Sequence, residues 1–123
     1  MPETFEAKIA PKWIVHICQK ADWQAALEQG VYQAASLVDV GFIHCSGPDQ
    51  VVAVANRFYT GCADLVLLWI DPARLQADLR WEAADEDLFP HIYGKLNLDA
   101  VQAIADFPAD LDGHFYTHPV RPD

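Results

Sequence analysis

Histidine is the residue to follow in this 123-residue chain, because three of its five imidazoles fall inside stretches that read as β-strand. Imidazole is also the side chain whose ordinary pKa places proton transfer near neutral pH. His16 lies in Trp13-Ile14-Val15-His16-Ile17-Cys18, His44 in Gly41-Phe42-Ile43-His44-Cys45-Ser46, and His91 in Phe89-Pro90-His91-Ile92-Tyr93. Alternate strand residues share a face, which groups His16 with Ile14 and Cys18, His44 with Phe42 and Ser46, and His91 with Tyr93. If the three faces converge, they line a cleft with imidazoles, a hydroxyl and a phenol. Such a lining suits a small polar ligand with aromatic parts. The plainer alternative for each ring is a core histidine satisfied by hydrogen bonds.

Other chemistry-bearing residues carry less. Glu82, after Trp81, is either a general base or part of a solvated acidic stretch over residues 78–87, and the acidic neighbours favour the second reading. His114 and His118 have the i, i+4 spacing of metal ligands on a helix, but Phe115-Tyr116-Thr117 prefers strand and Pro119 is a poor neighbour for helix. His16, His44 and His91 with a water would make a catalytic zinc site, yet no carboxylate stands out to orient those rings, and no metal is expected. The signatures GxGxxG, GxxxxGK[ST], HExxH and GxSxG are missing, and with 6 glycines there is little material for a phosphate-cradling loop.

The elements that must position these residues follow from periodicity. A buried strand over residues 13–18 is followed by a short helix over 22–29, with Trp23, Ala26 and Leu27 on one face and Gly30 as its stop. Residues 31–40 read as a loop carrying Tyr32. A second strand at 41–46 leads to Ser46 as a helix cap, with Asp49 in a capping-box arrangement and Pro48 in the first turn. Val51, Val54, Ala55 and Phe58 then share a face, and Gly61 ends that helix. Leu65-Val66-Leu67-Leu68-Trp69-Ile70 is a fully apolar strand, broken by a turn at Asp71-Pro72. Strands are expected at 79–82, around 91–93 and over 101–107, with an acidic loop at Asp85-Glu86-Asp87. The expected fold is α+β, with two early helices and two small, mainly antiparallel sheets forming a split β core. Residues 12–110 form the domain, 1–11 a flexible lead-in, and 111–123 a tail that is an edge strand or extended arm.

Composition limits the partners. Eighteen acidic residues against eight basic ones give a formal charge of −10, and the pI is near 4.6. Phosphate-rich polymers and anionic membranes are recognised by clustered Lys and Arg, so a long nucleic acid or a membrane surface is not the expected partner. Cys18, Cys45 and Cys62 are an odd number with no CxxC pair, and Cys18 and Cys45 read as small buried hydrophobes. Without an export signal the cytoplasm is the expected location, and monomer and homodimer both remain open.

The sequence resembles the small bacterial family grouped as domain of unknown function 952, over residues 12–110. The resemblance is carried by Trp13-Ile14-Val15-His16-Ile17, Ala21-Asp22-Trp23, Gly41-Phe42-Ile43-His44-Cys45-Ser46, Ala55-Asn56-Arg57-Phe58, Asp71-Pro72-Ala73-Arg74-Leu75, Leu79-Arg80-Trp81-Glu82 and Phe89-Pro90-His91-Ile92-Tyr93-Gly94. More remotely, the layout is similar to the ADP-ribosyltransferase superfamily, which binds NAD in a cleft between two small antiparallel sheets. That resemblance implies an ADP-ribosyltransferase-like fold, NAD or a related nucleotide as cofactor, and transferase chemistry. It sets His16 at the first-strand ligand-binding His, His44 at the stacking Tyr, and His91 at the Glu that bonds a ribose hydroxyl. His44 and His91 are then the expected catalytic residues, with His16, Ser46 and Tyr93 binding the cofactor. Replacing the Glu by imidazole keeps a hydrogen bond but loses the charge that stabilises a developing ribosyl cation, so protein mono-ADP-ribosylation is not expected. Arg57, Arg74 and Arg80 are candidates for a phosphate clamp, as in the superfamily's RNA 2′-phosphotransferases, although a helix-surface or turn role suits each.

Overall fold

The most apolar run of the chain is buried along its whole length. Leu65–Ile70 forms β4, and it lies between β1 (Ile14–Gln19) and β8 (Val101–Asp106) in an antiparallel sheet. The structure, a computed structural model, describes residues 12–122, so the expected lead-in at 1–11 lies outside the described residues. The remaining elements are α1 (Lys20–Gln29), β2 (Val31–Tyr32), α2 (Ala35–Val40), β3 (Ile43–His44), α3 (Val51–Phe58), β5 (Asp78–Ala84), β6 (Asp87–Tyr93) and β7 (Leu96–Asn97), with 3₁₀ turns at Pro72–Arg74 and Leu98–Ala100. The fold is α+β, and its sheets are open and antiparallel.

Both faces of the central sheet are covered, which explains why β1 and β4 lack the polar alternation of a half-exposed strand. One face, with Ile14, Cys18, Val66, Leu68 and Ile70, packs on Trp23 and Ala26 of α1, on Tyr32, and on the inner face of a second sheet ordered β3–β6–β5. The opposite face, with Val15, Ile17, Leu65, Leu67 and Trp69, packs on Val51 and Ala55 of α3 and on Phe107 and Phe115. The second sheet buries Ile43, Ile92 and Pro90 and turns its other face outward. Pro90 is tolerated on this middle strand because β3 is short. The Pro90 carbonyl accepts from Cys45 N–H at 3.1 Å just past the two residues of β3, so the missing Pro N–H on that edge interrupts no ladder.

Several local expectations are corrected. Residues 31–40 are not a loop: Val31-Tyr32 pairs with Leu96-Asn97, and a third helix follows over Ala35–Val40. Helix α3 has no Ser46 cap. Ser46 is tied by backbone bonds to Val15 in both directions, and the turn into the helix is closed by Gln50 Oε1 accepting from Gly47 N–H at 2.8 Å. That helix ends at Phe58, before Gly61, whose N–H instead reaches Gly113 O at 3.0 Å. Gly30 does end α1, with φ +82 and its N–H on Ala26 O. Asp85 and Glu86 form the two-residue turn of the β5–β6 hairpin, and Asp87 belongs to the strand. Beyond residue 106 no strand forms among the described residues. Phe115, 2% exposed, stacks on Phe107 at 4.9 Å and is clamped by Asn56, so the packed unit runs past residue 110. No helix among the described residues is long and apolar enough to cross a membrane.

Candidate functional site

The outer face of β3–β6–β5 collects polar and aromatic side chains by strict alternation. On β5 the pattern Leu79-Arg80-Trp81-Glu82 sends Leu79 and Trp81 to the core and Arg80 and Glu82 outward. On β6 Pro90 and Ile92 point in, and His91 and Tyr93 share the outward side with them. The register places His44 directly opposite His91, and Arg80 opposite His91 on the other flank.

Glu82 organises this face. Its Oε1 accepts from His91 Nδ1 at 2.8 Å and from the Tyr93 hydroxyl at 2.7 Å. These two donors, Tyr93 first, hold the Glu82 carboxyl below its usual range, and the same bond raises the Tyr93 phenol. Phe42 stacks on His91 at 4.1 Å between centroids and 20° between planes, and meets His44 edge-on at 4.8 Å. The two imidazoles stand nearly perpendicular, 5.5 Å apart. His44 is exposed at its ring, and partial desolvation with the nearby His91 lowers its pKa. The Arg80 guanidinium lies over the Tyr93 ring at 4.2 Å.

With Nδ1 held by a carboxylate, His91 has its proton there and presents Nε2 as the basic atom. A carboxylate that fixes tautomer and orientation in this way is what allows imidazole to act as a general base. The Glu82 side chain keeps the solvent contact that its acidic neighbours suggested, at 38% exposure, and it is also the carboxylate beside an imidazole that the sequence did not identify. The signal was the alternation on β5. Cross-strand register, which only the fold reveals, was needed to bring Glu82 to His91.

His16 and Ser46 are placed differently. His16 is 6% exposed and faces the core between the sheets. Its Nδ1 donates to His44 O at 2.5 Å, and Tyr32 O–H donates to its Nε2 at 2.8 Å, so neither ring nitrogen is left for a ligand. Burial, partly opposed by the carbonyl bond, lowers its pKa to about 4. His16 therefore bears on the outer face only indirectly, by bracing the main chain of His44. The Ser46 hydroxyl makes no hydrogen bond among the described residues, and its backbone joins the two sheets. Thus His44, His91 and Tyr93 assemble on one open face, and the expected common cleft with His16 and Ser46 does not form.

Because His16 is committed on both nitrogens, the three-histidine zinc arrangement does not assemble, and no group of three or more His, Cys, Asp or Glu is placed for a metal among the described residues. Arg57 pairs with Asp85 at 2.5 Å and Arg74 with Asp71 at 3.5 Å, whereas Arg80, 3.8 Å from Asp78, stands beside the imidazoles by its register opposite His91. Two depressions lie elsewhere. One, of about 360 Å³, is lined by Asp22, Gln29, Tyr32 and Gln33, and the other, of about 480 Å³, lies between residues 61–64 and 108–113. The first is lined in part by Tyr32, whose hydroxyl is committed to His16 Nε2, whereas on the outer sheet face His91 Nε2 and the His44 ring have no hydrogen-bond partner among the described residues.

Residues 17–104 match the family described as Protein of unknown function (DUF952), and the chain belongs to it. Its fold is similar to the crystal structure of protein CC0527 from Caulobacter crescentus, at 38% identity and TM-score 0.77, covering 83% of this chain and 91% of that one. The solution structure of the same bacterial protein agrees, at 37% identity and TM-score 0.73, covering 85% and 91% of the two chains. No curated protein matches.

Proposed function

We propose that the protein is a small-molecule enzyme acting on NAD or a related nucleotide at the outer face of β3–β6–β5. His91 is the general base, Glu82 its orienting carboxylate, and His44 the proton donor. The observation that carries this reading is the 2.8 Å contact between His91 Nδ1 and Glu82, which frees Nε2 beside a second, exposed imidazole. Phe42, stacked on His91, and Tyr93, beneath the Arg80 guanidinium, give this face an aromatic character that suits a base or nicotinamide. The transferase part of the reading rests on the resemblance to ADP-ribosyltransferases. Its support is chemical: Glu82 Oε2 makes no hydrogen bond among the described residues, so this carboxylate has an oxygen for a ribose hydroxyl next to the imidazole that stands at the superfamily's Glu position. In this reading His16 and Ser46 hold the strand that carries His44 and do not contact the ligand.

The test is thermal unfolding with millimolar NAD, ADP-ribose or nucleoside phosphates. Ligand that binds only the folded protein raises its stability by about 2.7 kcal/mol at a hundredfold excess over Kd, a shift of several degrees. His91→Asn should abolish that shift; because the buried ring is bonded to Glu82 and stacked on Phe42, the variant's own unliganded midpoint falls, and the shift is read against that midpoint. Absence of any shift with all of these ligands contradicts the proposal.

A further inference from the structure

Resting on that reading, we propose that the cross-strand row His44–His91–Arg80 is the subsite for a phosphate or diphosphate group of the ligand. The row is set by register, since His44 pairs with His91 and His91 with Arg80 across three adjacent strands on one face. Neighbouring strands are about 4.8 Å apart, so three donors at one register span about 10 Å, enough for two consecutive phosphates lying across the strands.

Each member can meet an anion. His44 has no side-chain hydrogen bond among the described residues, and His91 Nε2, also without a partner there, becomes a donor when the ring takes up a second proton, with the Glu82 carboxylate on Nδ1 balancing that charge. Arg80 meets Asp78 at a loose 3.8 Å, with both side chains mostly in solvent at 56% and 78% exposure. Such a pair is weak and easily exchanged for a bidentate contact to phosphate. The carboxylates on the same face have partners of their own: Glu82 Oε1 is bonded to Tyr93 and His91, with Oε2 left for the ribose hydroxyl, and Asp87 is held by Gln50 Nε2 at 2.9 Å and Leu88 N–H at 2.8 Å. Asp78 is the one acidic side chain that the anion displaces. The chain's net charge of −10 repels extended polyanions, so the ligand is of mononucleotide or dinucleotide size.

The experiment is calorimetric titration of the intact protein with pyrophosphate, ADP and adenosine. Pyrophosphate and ADP should bind, and Arg80→Gln should weaken both about tenfold or more, the scale of a lost charge-assisted bond. Arg57→Gln, at a residue paired away from the row, should leave both affinities unchanged. Tighter binding of ADP than of pyrophosphate assigns the anion to a nucleotide, and equal binding assigns it to free diphosphate. Adenosine binding without pyrophosphate binding overturns the subsite but leaves the nucleotide site standing. No binding by any of the three overturns both, and so does binding of pyrophosphate with equal affinity to the parent and Arg80→Gln.

Discussion

His16 and His91 are both nearly buried, yet they meet opposite second partners. In His16 a carbonyl and a phenol occupy both nitrogens, whereas in His91 Nδ1 meets a carboxylate and Nε2 has no hydrogen-bond partner among the described residues. This difference gives His16 a supporting place in the packing and is why the proposed function puts the chemistry at His91. It also makes His16 a reporter of pH. Its pKa is lowered to about 4 in the fold, whereas an unfolded histidine takes up its proton near 6.5, so the unfolded chain binds more protons between these values. Stability therefore falls as pH drops from about 6.5 to about 4, by about 3 kcal/mol across the whole window, and the lowered pKa of His44 acts in the same direction. Urea unfolding at a series of pH values should show this loss, and NMR titration should show the His16 ring neutral until close to pH 4. An ordinary midpoint for His16 would contradict the assignment. The thiols make a second residue-scale prediction. Burial raises Cys18 to about 11 and Cys45 further still, while Cys62 is partly exposed, so a thiol reagent at neutral pH should label Cys62 first and the other two only on unfolding.

The β5–β6 hairpin carries Arg80, Glu82, His91 and Tyr93, so its turn sets the register of the whole face. Asp85 and Glu86 both have positive φ, 51° and 67°, as a two-residue turn between right-twisted strands requires. Glu86 lacks the freedom of glycine there, and Glu86→Gly should stabilise the protein by up to about 1 kcal/mol in urea unfolding without disturbing the Glu82–His91 bond. On the other side of the central sheet, Asn56 donates to Phe115 O and accepts from Phe115 N–H, each at 2.7 Å. Asn56→Ala should cost about 1–3 kcal/mol and open residues 107–116 to proteolysis. These elements also show how far sequence carries. Apolar runs and alternation revealed β1, β4, α1, α3, β6 and β8 and the shared faces of His44 with Phe42 and of His91 with Tyr93, but not that His16 lies on the other side of the second sheet. Residues 31–40 were opaque because β2 is two residues long and pairs with a strand more than sixty positions away, and because α2 is a single short helix without a capping signal. Glu82 was opaque because its meaning depends on a partner across a hairpin.

At the scale of the molecule, three layers divide the labour. The central sheet supplies the core on both of its faces, α3 and the 107–115 segment close one side, and the β3–β6–β5 sheet closes the other while offering its outer surface. His16 and the Val15–Ser46 bridge fasten these two sheets at the point where β3 begins its turn toward α3. In the proposed function, the acidic surface and the local row of imidazoles and guanidinium favour a small anion-bearing ligand over an extended polyanion. The central claim is that the outer sheet face, and not the buried His16 region, meets this ligand. Long-range ¹H–¹⁵N NMR of the imidazoles during titration with NAD tests it most directly, since all three rings report at once. The account predicts that His44 and His91 resonances move together to saturation while His16 stays in place. A titration in which His16 moves first, or in which His44 and His91 remain fixed as His16 shifts, would contradict it.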